Sequence, residues 1–170
     1  MVRVGIFIDV GNQYYCINKK WPGRKLNYRK YYDLAGSQGT IHCALAYGTQ
    51  VGDSASKFTT CLRHLGFDPK YKTVEKNSWF VWDVGIAVDM MRYSDKIDAV
   101  VLGNSNRSMI PAVQSLRERG IKVTIVSCGI NKELKETADA WLEIEEDMLE
   151  TEDNLCTKDE DETSETAQSL

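Results

Sequence analysis

Hydrophobic positions in this chain fall into short unbroken runs that alternate with longer, spaced series. The segment Arg3–Asp9 (RVGIFID) is such a run, and it reads as a buried first strand closing on a carboxylate. Gly11, Asn12 and the residues up to Gly23 read as a turn, a short helix and a loop. A helix is predicted over 28–35 and is broken between Gly36 and Gly39; a second strand follows at 41–47. Phe58, Cys61, Leu62 and Leu65 repeat at i, i+3, i+4 and i+7, the spacing of one helical face, with Ser54 as the cap and Gly66 as the stop.

The same alternation continues to the carboxyl end. Residues 70–74 read as a third strand, and the aromatic stretch 79–82 leads into a helix over Asp83–Tyr93. A strand at 97–102 runs into the turn 103–106. Ser108 is the expected cap of the next helix, which turns Ile110, Val113 and Leu116 inward. Pro111 lies in its first turn, where a missing N–H costs little. After a strand at 122–126, Asn131 opens a last helix with Leu134, Ala138, Trp141 and Leu142 on one face. From about residue 146 acids, Thr and Ser dominate without a hydrophobic period, so 146–170 is expected to be a disordered acidic tail on a domain of 1–145.

Strands alternating with helices imply an α/β fold, with a mostly parallel central sheet covered by helices on both faces. Ligands of such sheets sit beyond the carboxyl ends of the strands. That rule draws attention to Asp9, Thr49 and the 103–106 turn.

Charge changes the picture more than composition does. The net charge of −4 conceals two opposed regions. Residues 143–170 carry twelve acids and one lysine, a net of −11, which leaves +7 on 1–142, where twenty Lys or Arg meet thirteen acids. A basic body attracts polyanions, and an acidic tail can cover that body or simply keep it soluble. Nothing in the sequence approaches the roughly 20 apolar residues of a membrane span, and the start is too short and too soon acidic for a signal peptide. Five widely spaced cysteines without a C-x-x-C pair indicate neither a disulfide framework nor a zinc site. A reducing, cytoplasmic setting is the expectation. Neither a P-loop nor a G-x-G-x-x-G occurs, which removes the main support for a nucleotide cofactor.

Three carboxylates are candidates for chemistry. Asp9 ends the first strand, where a carboxylate must be solvated, paired or bound to a cation, unless it merely caps the following turn. Asp83 stands where a helix begins, which a capping role would explain in full. Asp89 lies in a helix that reads as apolar nearly all round and therefore buried. At about 100° per residue it is roughly 120° away from Asp83, so it either pairs with a basic side chain, the favoured reading, or stands behind the site. The segment with Lys19, Lys20, Arg24, Lys25, Arg29 and Lys30, interleaved with Trp21, Tyr28, Tyr31 and Tyr32, suits RNA, since cations neutralise phosphates and rings stack on bases. The alternative is a solvated basic face whose aromatics belong to the core.

Taken together, four motifs resemble the NYN domain family, in its LabA-like branch within the PIN-like nuclease superfamily. Phe7-Ile8-Asp9-Val10-Gly11-Asn12 resembles the family's opening strand. The stretch from Trp82 and Asp83 to Asp89 is similar to its central helix, and Gly103-Asn104-Ser105-Asn106 occupies the place of its acidic turn. Pro111 to Val123 resembles the following helix and strand, with Glu133-Leu134 and Ala138-Asp139 in the closing helix. The resemblance implies a PIN-like, Rossmann-like three-layer sandwich and a metal-dependent ribonuclease. In it Asp9 and Asp83 would hold Mg²⁺ or Mn²⁺, with Asn104 as a neutral ligand and Asn12 and Asn106 completing the catalytic set. Single-stranded RNA is the implied partner, with a homodimer as one possible assembly. One departure stands out: Asn104 and Asn106 occupy positions where the family usually has Asp. The site thereby loses up to two negative charges, and metal affinity follows ligand charge. An attenuated enzyme, an RNA-binding protein that does not cut, and a deliberate exchange of Asp for Asn all fit this departure.

Overall fold

A computed structural model describes residues 1–151. Its central sheet is built from β1 (Arg3–Asp9), β3 (Thr40–Gln50), β4 (Asp68–Thr73), β5 (Ala99–Gly103), β6 (Lys122–Ser127) and β7 (Ala140–Glu143). The helices between them are α1 (Val10–Lys20), α2 (Tyr28–Gly36), α3 (Ser56–His64), α4 (Asp83–Tyr93), α5 (Ile110–Glu118) and α6 (Lys132–Thr137). Two short strands, β2 (Arg24–Leu26) and β8 (Leu149–Thr151), form a separate antiparallel ribbon.

The sheet runs β4-β3-β1-β5-β6-β7, and every pairing in it is parallel. This is the doubly wound order, whose direction of progression reverses between β1 and β5. Strand residues alternate between the two faces. Val4, Ile6 and Ile8 pack with Ile17, Tyr31, Ala35 and Leu62 from α1, α2 and α3. Phe7, Leu45, Tyr47, Val100 and Leu102 pack with Ile86, Met90, Val113 and Leu116 from α4 and α5, and with Leu134 of α6. Two apolar clusters, one per face, make the three-layer sandwich that the alternation of elements predicts.

Several local expectations are corrected. Helix α1 begins directly after Asp9, with no intervening turn, because the Asp9 side chain itself accepts the Asn12 N–H and caps it. The Ser54 hydroxyl accepts from the Val51 N–H instead of capping α3, which starts two residues later. Helix α4 is not buried all round: Val84 and Val88 are exposed, and only Ile86 and Met90 are buried. The last helix stops at Thr137. Asp139 then turns back to the sheet, accepting the Val123 N–H at 2.8 Å and pairing with Arg117 at 3.0 Å. The following residues pair with β6 as β7, so Trp141 and Leu142 sit half-exposed on a strand at the sheet's end rather than on a helix face.

The acidic segment is structured further than its composition suggests. Residues 146–148 form a 3-10 turn and 149–151 form β8, with Met148 and Leu149 buried in the first cluster. Two apolar residues among the acids suffice, because β2 supplies a partner strand and Asn27 donates its N–H to the Met148 carbonyl at 2.9 Å. The rest of the expected tail lies outside the described residues.

Candidate metal and nucleic-acid site

Parallel strands deliver their carboxyl ends to one rim, and the reversal between β1 and β5 opens a crevice there. Asp9 closes β1 and Gly103 closes β5. The approach of these strands is close: a Cβ on Gly103 would lie 2.6 Å from Ile8 Cγ1 and 2.7 Å from the Tyr31 hydroxyl. Glycine at this position lets the chain turn directly over β1 and bring residues 104–106 above Asp9.

Asn104, fully buried, joins the two candidate carboxylates. Its Nδ2 donates to Asp83 Oδ1 at 3.0 Å and to Asp9 Oδ2 at 3.5 Å. The Asn104 Oδ1 accepts the Asn106 N–H at 2.8 Å, which fixes the amide with its NH₂ toward the acids. Asn106 Nδ2 lies 3.4 Å from Asp83 Oδ2, and the Ser108 hydroxyl donates to that same oxygen in a short hydrogen bond. Asp83 is therefore no cap. It sits in the first turn of α4 with its carboxylate turned outward to three donors from the 104–108 segment. Ser108, expected as a cap, serves Asp83 instead, and α5 begins without a side-chain cap.

Asn12 is held from three sides. Its Oδ1 accepts from the Ser105 N–H and hydroxyl, both at 3.1 Å, and from Gln13 Nε2 at 3.0 Å. Its Nδ2 is 3.0 Å from Ser105 Oγ and 3.5 Å from Asn106 Oδ1. Gln13 is fully buried; it also donates to Ser127 Oγ at 2.7 Å and accepts the Cys128 N–H at 3.0 Å. The amide of Asn12 is thus tied through Gln13 to the end of β6. Sequence reasoning passed over Gln13, Ser105 and Ser108. Adjacency to Asn12 and to the 103–106 turn was the available signal.

Electrostatics single out Asp9. Burial raises its carboxyl from the ordinary value to about 6; the Asn12 and Gly11 N–H groups oppose the rise, and the charge of Asp83 adds to it. Tyr71, another residue the sequence did not flag, is pushed up by burial and by Asp9's charge. It lies against Gly48 at the end of β3, where a side chain larger than hydrogen would collide with its ring. Asp89 stands apart, pairing with Arg92 at 3.5 Å and accepting the Tyr47 hydroxyl at 3.0 Å. The favoured expectation of a basic partner describes it. Tyr47 links it toward the site, since the Tyr47 ring packs on Trp82 at 5.4 Å.

Whether these residues suit a divalent cation turns on the donor set. Among the described residues no group of three or more His, Cys, Asp or Glu could hold a metal ion. Two carboxylates that both contact one amide are a sparser arrangement, yet Mg²⁺ is commonly held by one or two carboxylates and keeps several waters. Buried Asp9 beside Asp83 leaves negative charge that only neutral donors offset. In oxygen chemistry the residues fit a hard divalent ion, with two carboxylates as the charged donors.

The basic segment occupies a different position from the one its composition suggests. Tyr28 and Tyr31 are buried, so their rings belong to the core. Lys20 pairs with Glu145 and Arg24 with Glu146, each at 3.4 Å, and Lys30 Nζ donates to the Asp147 carbonyl at 2.6 Å. Lys19 and Arg29 are exposed, and Lys25 is half-buried on β2.

With this geometry in place, comparison with known proteins is informative. The chain is 26% identical over 161 residues to the low amplitude and bright protein LabA of Synechococcus elongatus, an alignment covering 84% of this chain and 83% of that protein. A crystal structure of a protein of unknown function from Vibrio parahaemolyticus superimposes with a TM-score of 0.79 at 24% identity, covering 88% of this chain and 96% of that one. That likeness shows the fold. No helix among the described residues is long and apolar enough to cross a membrane. The model of the NYN domain family matches residues 3–145, nearly the whole described chain, and supports a nuclease-type or RNA-related function. The chain belongs to the NYN domain family.

Proposed function

We propose that this protein is a metal-dependent ribonuclease of the NYN, PIN-like class, attenuated by the amides at 104 and 106. One observation carries the reading: Asp9 and Asp83, from different elements, hydrogen-bond the same Asn104 amide nitrogen. Both carboxylates are therefore within reach of a single ligand at the rim where such sheets bind theirs.

Asp9 and Asp83 would hold Mg²⁺ or Mn²⁺. When bound, such an ion acidifies a water and neutralises charge on the phosphate under attack. The chain's own part is positional. Ser108 and Asn106 hold the Asp83 carboxylate in one orientation, and the Asn12 N–H does the same for Asp9. The Asn12 side chain, clamped by Ser105 and Gln13, anchors the 104–106 turn over the end of β1. Asn104 would ligate through its carbonyl only if its amide turned over and released the Asn106 N–H. That requirement, together with the missing charge, is the physical source of attenuation.

A second reading, an RNA-binding regulator that does not cut, is favoured by the same amide. With its NH₂ facing both acids and its oxygen satisfied by Asn106, Asn104 makes a hydrogen-bonded network that is complete without a cation. Cleavage of labelled single-stranded RNA in Mn²⁺ separates the two. The enzyme reading expects slow cleavage by the native chain, lost in Asp83→Ala and accelerated at least tenfold in the double variant Asn104→Asp, Asn106→Asp. Absence of cleavage by the native chain, with gain in the double variant, supports the binding reading. Absence in both defeats the nuclease assignment.

A further inference from the structure

The segment feeding Asp83 into the site carries an unusual surface. Trp79 is 85% exposed, and Phe80 and Val81 are 40% and 55% exposed, a costly display of apolar area on a folded protein. The end of the row nearest Asp83 is held in place. Phe80 packs edge-on against Trp82 at 5.0 Å, and Trp82 packs on Tyr47 and donates its indole N–H to the Gly48 carbonyl at 2.9 Å. Tyr47 and Gly48 lie at the end of β3, and Tyr47 is the register partner of Asp9. Phe80 and Trp82 are therefore braced against the strand ends that hold the site, with Trp79 projecting beside them.

Charge accompanies the rings. Residues 68–82 hold three lysines against Asp68 and Glu75; Lys70 pairs with Asp68 at 2.9 Å, which leaves Lys72 and Lys76 to face a ligand. Lys72 Nζ lies 4.7 Å from the Phe80 ring centre, on the edge strand β4. Exposed rings with a cation beside them are what a single strand requires: bases stack on the rings and cations follow the backbone. The other basic stretch lacks this combination, since Tyr28 and Tyr31 are buried and three of its cations face 145–147.

We propose that Trp79 and Phe80, with Lys72, form a stacking surface for unpaired bases of single-stranded RNA and guide the strand toward Asp9 and Asp83. The inference rests on the RNA reading above and names the residues that make the contact. Trp82 immediately precedes Asp83, so a base seated on the row places its backbone beside the carboxylates. Duplex RNA, whose bases are already stacked, cannot use the surface.

The test is fluorescence anisotropy of labelled oligouridylate, duplex RNA of equal length and an abasic ribose-phosphate strand, measured with EDTA present to prevent cleavage. Native protein should bind the oligouridylate best. Trp79→Ala and Phe80→Ala should each weaken that binding about tenfold while leaving the abasic strand unaffected, and their circular dichroism should match the native protein. Native protein that binds RNA while both variants bind oligouridylate equally well overturns this inference and leaves the RNA reading standing. Native protein that binds none of the three strands overturns both. A native dimer in sedimentation that Trp79→Ala converts to monomer, without loss of RNA affinity, would assign the surface to a second copy of the chain and overturn the proposal.

Discussion

Asp9 holds two roles that ask opposite things of it. As the cap of α1 it accepts an N–H, which favours the ionised form; buried at the sheet rim beside Asp83 it is pressed toward the neutral form, and burial prevails. A carboxyl whose folded value is about 6, against about 4 when unfolded, makes the folded state hold more protons between those values. Asp9's own contribution to stability should therefore be greatest below pH 4, fall as pH rises from about 4 to about 6, and then level off. By the same sign, Asp9→Asn should stabilise the metal-free protein at pH 7, by up to about 3 kcal/mol, since Asn caps as well as Asp. Thermal melts in EDTA check this, and a lower melting temperature for Asp9→Asn would contradict it. A buried carboxylate is a cost to the metal-free fold, one that a bound cation would offset.

At the scale of elements, the ribbon of β2 and β8 places an acidic strip over the basic segment. Leu26, Met148 and Leu149 are buried beneath it, while Glu145 and Glu146 reach Lys20 and Arg24. These ion pairs are exposed and add little to stability. Their larger effect is on the field that an approaching polyanion meets. The double variant Glu145→Lys, Glu146→Lys should bind RNA several-fold more tightly at low salt, with the gain shrinking as salt screens it. Equal affinity of variant and native protein at low salt would show that the basic segment takes no part in binding. The ribbon also shows where sequence pattern gives out. Arg24–Leu26 has no hydrophobic period, and its strand character comes entirely from a partner distant along the chain. Residues 138–143 failed for a related reason: Leu134, Ala138, Trp141 and Leu142 keep helical spacing, but Asp139 is drawn to the Val123 N–H and the chain extends along β6 instead.

Over the whole molecule, the parallel sheet, its two apolar faces and the placement of Asp9 and the 103–106 turn at one rim were legible from local pattern plus one topological rule, whereas Asp83 read locally as a cap and was pointed to only by the family resemblance. Val4, Phe7, Val100 and Val101 declare buried strands by composition alone. What remained illegible was contact across the rim. Asn104 bridging two acids, Ser108 turning from cap to clamp, and Gln13 tying Asn12 to β6 depend on side-chain directions fixed only when β1, β5 and β6 are assembled. The exposed stripe of Val84 and Val88 was hidden similarly, since an all-apolar helix gives no sign of which side meets solvent.

The central claim is that Asp9 and Asp83 together form one cation-holding pocket, and calorimetric titration of the folded protein with Mn²⁺ addresses it most directly. Binding should be weak and saturable with one ion per chain, abolished in Asp9→Ala and in Asp83→Ala and tightened in Asn104→Asp. Isotherms that are identical for native protein and Asp9→Ala, or a native protein that takes up no ion at all while Asn104→Asp also takes up none, would contradict it.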